Sequence, residues 1–192
     1  MTHVSDAPRV LAARAMSRGA DQDYEELADL VAYLVVAEPD VSRVLEIGVK
    51  HGGTLSLWRD LWPEATIVGV DLHAPTPLLP DIPLVDDATI VLGDSRHRQT
   101  YDEVLDLLGG VSIFAEVDLL HIDGGHDEDT FRSDWTTYTP LVRDGGLVLV
   151  HDVNWPSVRD AFRELAEPYE GAFSITRHSD RLGFGVVPWK AE

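Results

Sequence analysis

Ten residues in the middle of the chain, "HIDGGHDEDT" (His121–Thr130), hold two histidines, three aspartates and one glutamate. They follow "EVDLL", an apolar run that reads as a buried strand. Imidazoles and carboxylates at that density suit a divalent-metal site or an acid–base site. The plainer reading is a polar loop that feeds a helix, with Asp127, Glu128 and Asp129 at the positive end of its dipole. His121 falls inside the strand and reads as structural, whereas Asp123 closes it, where a carboxylate needs a compensating partner. A second apolar run, "GLVLVHD", ends on His151 and Asp152.

A different chemistry is written after an earlier run, in "EIGVKHGGT" (Glu46–Thr54). Gly48, Gly52 and Gly53 let the backbone turn tightly and approach a ligand ahead of a helix N-terminus. Asp71 ends the next apolar run, about 20 residues further on, where an acid accepts ribose hydroxyls. "GDS" (Gly93–Ser95) ends a third, which places Asp94 and Ser95 beside a base. Together these residues describe a nucleoside-containing cofactor. Lys50 stands where a dinucleotide fingerprint needs glycine, which disfavours a pyrophosphate. Glu46 suits a cationic, amine-bearing cofactor such as S-adenosylmethionine.

The elements that must position these groups follow from periodicity. "RVLEIGV", "TIVGVD", "ATIVLGD", "VDLLHID" and "GLVLVHD" are near-continuous apolar runs, as strands covered on both faces require. Between them lie helical stripes: Leu27, Leu30, Val31 and Leu34; Leu57, Trp58, Leu61 and Trp62, closed by Pro63; Tyr101, Val104, Leu105 and Leu108, ended by glycines. Phe131, Trp135, Tyr138 and Val142 form another stripe, capped by Asp127, and Pro156 opens the one carrying Val158, Phe162 and Leu165. "FSITRH" and "LGFGVV", joined by "SDR", predict an antiparallel hairpin at one sheet edge. The expected fold is a doubly wound, mostly parallel α/β sheet of seven strands with a C-terminal antiparallel hairpin. Residues 1–40 read as an N-terminal helical segment and residues 41–192 as the cofactor-binding domain. The one long irregular stretch, His73–Asp87, carries four prolines and has the length of a lid over the site.

Composition narrows the class. The chain has 192 residues, 44% of them hydrophobic, which is enough to bury one core. It has no cysteine, so thiolate chemistry and disulfides are excluded. The formal charge is −19, from 34 acids against 15 bases, which repels phosphate backbones and argues against a nucleic-acid partner. No apolar run reaches membrane-spanning length and the N-terminus lacks a signal-like core, so a cytoplasmic protein is expected.

Across residues 40–190 the motifs "VLEIGVKHGGT", "VGVDLH", "VLGDS", "HIDGGH" and "LVRDGGLVLVHDV" resemble those of the Rossmann-like S-adenosylmethionine-dependent methyltransferases. They are most similar to the small metal-dependent O-methyltransferases of natural-product pathways, the branch of the macrolide-sugar methyltransferases and the so-called cephalosporin hydroxylases. The resemblance implies a methyl transfer to a hydroxylated small molecule and Mg²⁺ or another divalent cation at Asp123 and Asp152. It also implies His126 as general base and a homo-oligomer. Carried onto this chain, the cofactor would lie among Glu46, Gly48, Gly52, Gly53, Asp71, Asp94, Ser95 and Asp123. One departure stands out. Such proteins often carry a second acid or an amide beside the fifth-strand aspartate, and here its neighbours are His151 and Val153, with Asn154 one further on. His151 as a ligand would shift preference toward transition metals. Two alternatives follow: a metal-free transfer with His126 or His151 as base, and a non-catalytic accessory protein that binds the cofactor. Trp155, just after the proposed metal site, is a candidate wall of the acceptor pocket.

Overall fold

The computed structural model describes residues 7–37, 39–75, 87–109, 116–176 and 182–190. Its elements in chain order are α1 (Ala7–Ser17), α2 (Tyr24–Ala37), β1 (Arg43–Ile47), α3 (Gly53–Leu61), β2 (Thr66–Asp71), β3 (Ala88–Leu92) and α4 (Arg98–Leu107). There follow β4 (Val117–Ile122), α5 (Glu128–Tyr138), a 3-10 turn (Thr139–Leu141), β5 (Val142–His151), α6 (Pro156–Ala166), β6 (Phe173–Ile175) and β7 (Phe184–Pro188). Seven strands form one sheet in the order β3-β2-β1-β4-β5-β7-β6. β1 to β5 run parallel, and β7 returns antiparallel to both β5 and β6. This is the expected Rossmann-like sheet with its C-terminal hairpin.

Strand alternation divides the core in two. Val44, Ile67, Leu119 and Leu149 face α1, α2 and α3, while Leu45, Val68, Leu120 and Val148 face α4, α5 and α6. Each such side chain buries enough apolar surface to contribute roughly 1.5–3 kcal/mol, and coverage of both faces is why the strands read as unbroken apolar runs. At the N-terminal rim of the sheet Asp118 gathers Ser42 and Arg43, accepting from both backbone N–H groups at 2.8 Å, and pairs with Arg143. That anchor pins β1, β4 and β5 at one end and leaves their carboxyl ends to the site.

Several boundaries differ from the sequence reading. α5 stops at Tyr138 and Val142 opens β5 instead of continuing the helical stripe. Pro140 enters a 3-10 turn that ends the helix. α4 starts at His97 as N-cap without a side-chain bond, so Asp94 and Ser95 lie ahead of the helix. Asp127 caps α5 as expected, accepting from Thr130 N at 2.9 Å. The hairpin turn 179–181 lies outside the described residues, as does most of the proline-rich stretch His73–Asp87. No helix among the described residues is long and apolar enough to cross a membrane.

Candidate active site

The carboxyl ends of β1, β2, β4 and β5 open into a cavity of about 1120 Å³. Its first wall is the β1–α3 loop. Gly48 (φ 91) and Gly52 (φ 78) hold left-handed backbone there, and Lys50 does so without being glycine (φ 52). The loop is held by Asp71, whose Oδ2 accepts from Val49 N and Lys50 N, each at 2.8 Å, while Oδ1 accepts from His73 N at 2.9 Å. A carboxylate has about four lone-pair sites, so Asp71 retains capacity for a ribose hydroxyl. A methyl group on Gly48 would lie 2.0 Å from the Asp123 carbonyl oxygen, so only glycine lets this loop cross the end of β4. Gly52 and Gly53 shape the loop from outside the cavity lining; Gly53 packs on the backbone of Gly19 and Ala20.

Glu46 stands elsewhere than expected. It is fully buried and does not line the cavity. Its carboxylate accepts from Thr54 Oγ1 at 2.6 Å and Trp58 Nε1 at 2.5 Å, and meets His121 Nδ1 at 3.2 Å. The reason is the two-residue period of β1: Glu46 shares a face with Val44, the face that α3 covers. It supports the glycine loop through α3, and His121 is its structural partner.

The second wall carries Asp94 and Ser95, both lining the cavity. Asp94 is clamped by Arg96 through Oδ1 and Oδ2, which holds its carboxyl far below the usual carboxylate range. Ser95 donates to Asp134 at 2.6 Å. Asp134 is buried on α5, and burial raises its carboxyl to about 6 against the lowering bond from Ser95.

The third wall holds the ionisable cluster. Asp123, His126 and Asp152 each present one ligand atom, all within 4.8 Å of one another. His126 Nε2 lies 2.8 Å from Asp152 Oδ2, and His151 Nδ1 lies 3.0 Å from Asp123 Oδ1 and 3.3 Å from Asp152 Oδ2. His151 is thus the buried brace of the two carboxylates, outside that trio of ligand atoms. Burial disfavours its charged ring, but Asp123 and Asp152 outweigh that and raise it to about 10. Burial likewise acts to raise Asp152, and the two histidines hold it far below its ordinary value. The hydrogen bond that His126 donates to Asp152 raises His126 in turn. Asp152 occupies left-handed backbone (φ 59), the type of strained position found at functional sites. Trp155 lines the cavity beside His126, ring centroids 5.6 Å apart.

Three contributors carry no motif in the sequence. Gln22, between α1 and α2, lines the cavity and donates from Nε2 to Asp123 Oδ2 at 2.9 Å. Arg96 neutralises Asp94, and Asp134 anchors Ser95. The signal for Asp134 was present: it falls at helical spacing within the stripe Phe131, Trp135 and Tyr138, where an acid is out of place.

Comparison with known proteins places this geometry. Residues 45–153 match the family model described as a methyltransferase domain. The mycinamicin VI 2''-O-methyltransferase of Micromonospora griseorubida is 31% identical over 137 residues, covering 67% of this chain and 31% of the relative. The demethylmacrocin O-methyltransferase of Streptomyces fradiae is 26% identical, with 66% and 31% covered. The chain therefore spans about a third of the length of these curated relatives. Among solved structures, the methyltransferase MycE of the mycinamycin pathway, in complex with Mg, SAH and mycinamycin VI, superposes with a TM-score of 0.64 at 19% identity, covering 93% of this chain and 53% of that one. Cofactor-bound Rv0187 from MTB gives 0.61 at 23% identity, with 99% and 94% covered.

Proposed function

The chain belongs to the methyltransferase-domain family, and from that premise we propose that it is an S-adenosylmethionine-dependent O-methyltransferase, assisted by a divalent cation, that acts on a hydroxyl of a small molecule. One observation carries the reading: a single cavity joins a loop held by Asp71 to the trio Asp123, His126 and Asp152. In the assignment proposed here, the loop Gly48–Lys50 and Asp71 hold the cofactor, with Asp94 and Ser95 at the adenine end. Gly52, Gly53 and Glu46 support that loop from behind.

The trio fits Mg²⁺, because two carboxylates beside open cavity space match its preference for a few oxygen ligands plus water. Asp123 and Asp152 would hold the cation, which when bound favours the deprotonated form of a substrate hydroxyl. His126 Nε2 meets Asp152 Oδ2 at 2.8 Å, and a cation held by Asp152 would weaken the hold of that carboxylate on the imidazole proton. His126 Nε2 then accepts the hydroxyl proton. The acceptor oxygen forms its bond to the methyl carbon as the S–C bond breaks, leaving S-adenosylhomocysteine. His151 fixes the two carboxylates, and Trp155 offers an apolar wall for the acceptor. The names of the relatives, an O-methyltransferase of mycinamicin VI and a demethylmacrocin O-methyltransferase, support a hydroxylated natural product as substrate class.

The test is calorimetric titration with S-adenosylhomocysteine, followed by transfer of labelled methyl to a panel of glycosylated and phenolic acceptors with and without EDTA. Cofactor binding in both conditions, with turnover lost only under EDTA, is expected. Turnover that EDTA leaves unchanged would remove the cation and favour direct deprotonation by a histidine. Absence of cofactor binding would overturn the reading at its base.

A further inference from the structure

The turn between α1 and α2 lines the cavity with Gly19, Ala20, Asp21 and Gln22. It is seated on α3, since a methyl group on Gly53 would lie 1.9 Å from Ala20 N. Lys50 and Asp21 pair across the same edge. Seated this way, the turn delivers Gln22 to Asp123, which is 101 residues away in the chain. Gln22 is only 7% exposed and lines the cavity. Its Nε2 donates to Asp123 Oδ2, while its Oε1 is buried with no hydrogen-bond partner. An acceptor left unpaired inside a protein is costly, and in a site it points to a ligand.

We propose that Gln22 is a neutral oxygen ligand of the divalent cation held by Asp123 and Asp152, a role that rests on the cation-assisted reading above. The two ends of a carboxamide exchange places by one rotation about the last side-chain bond. Without a cation, the amide turns its N–H group to the Asp123 carboxylate. With one, the same rotation presents Oε1. The spacing suits this: oxygen ligands on adjacent corners of an octahedral Mg²⁺ stand about 3 Å apart, and the amide end of Gln22 stands 2.9 Å from Asp123 Oδ2. The rotation also gives Oε1 a partner. A third oxygen from Gln22 takes the place of the acid or amide that the chain lacks beside Asp152, where His151 braces the carboxylates instead. The α1–α2 turn is then fastened over the cavity by the cation itself.

Mn²⁺ is the probe, followed by electron paramagnetic resonance in the full chain, for the unaltered protein and for Gln22→Ala, Gln22→Glu and Asp152→Asn. Circular dichroism verifies that each variant is folded. One bound Mn²⁺ is expected, with affinity lowered about ten-fold or more in Gln22→Ala and restored in Gln22→Glu, which puts an oxygen back in place. If Gln22→Ala binds Mn²⁺ as the unaltered protein does while Asp152→Asn loses it, the cation site stands and the role of Gln22 is overturned. If Glu does not restore what Ala removes, the effect is one of packing and the role is again overturned. If the unaltered protein binds no Mn²⁺, the cation-assisted reading fails and takes this inference with it.

Discussion

His126 Nε2 and Asp152 Oδ2 lie 2.8 Å apart, so the residue expected to accept a proton is bonded to a residue expected to hold the cation. The two roles are coupled through that contact. Asp152→Asn removes the charge that favours the protonated form of His126 and, together with it, a proposed cation ligand. Turnover is expected to fall by at least about 100-fold, while affinity for S-adenosylhomocysteine, measured by calorimetry, stays within about three-fold. A variant that keeps its turnover would show that Asp152 is no part of the chemistry.

Glu46 separates a supporting role from a contact role. Its carboxylate accepts from Thr54 Oγ1 and Trp58 Nε1, and it is fully buried. Glu46→Gln turns an N–H group toward at least one of those donors. The expected loss is about 2 kcal/mol in urea unfolding, with cofactor affinity changed by no more than about three-fold. A ten-fold loss of affinity at unchanged stability would make Glu46 a contact of the amine-bearing cofactor.

What the sequence displayed was what terminates a pattern. Asp71, Asp123 and Asp152 each close an apolar run, and a carboxylate at the end of a buried parallel strand faces the cavity because the chain leaves the sheet there. Asp127 was legible as a cap for the same reason. Glu46 sits inside its run, and its direction depends on which helix covers that face of β1, a tertiary fact. Gln22 lies in a turn with no period of its own and gains its meaning only from Asp123 across the fold. The burial that raises the carboxyl of Asp134 was legible from its place in the α5 stripe, but its partner Ser95, 39 residues away, was not. Local chemistry was readable, whereas pairings across long chain separation were not.

Asp71 is the next discriminating position. It carries two loop N–H groups on one oxygen, so its loss frees the β1–α3 loop as well as removing the proposed ribose contact. Asp71→Ala is expected to weaken S-adenosylhomocysteine binding by about 10- to 100-fold, equivalent to roughly 1.4–2.8 kcal/mol. Hydrogen exchange at Val49 and Lys50 should accelerate in the same variant. Unchanged affinity would place the cofactor away from this loop.

Asp134 gives a prediction in pH. Its carboxyl is raised from an ordinary 3.8 to about 6, chiefly by burial. The folded chain then holds this proton more tightly than the unfolded chain between those values. By linkage, its contribution is fully present below the ordinary value and is lost as pH rises through about 6, a change of about 3 kcal/mol. Asp134→Asn imitates the protonated acid and keeps an oxygen for Ser95 Oγ, so it carries none of that dependence. Urea midpoints at pH 4 and 7.5 should show the variant close to the unaltered protein at the lower value and more stable at the higher one. Carboxylates other than Asp94 and Asp127, whose charges act on Asp134, cancel in the difference. A difference that does not vary with pH would mean that Asp134 titrates in its ordinary range, with water or an ion beside it.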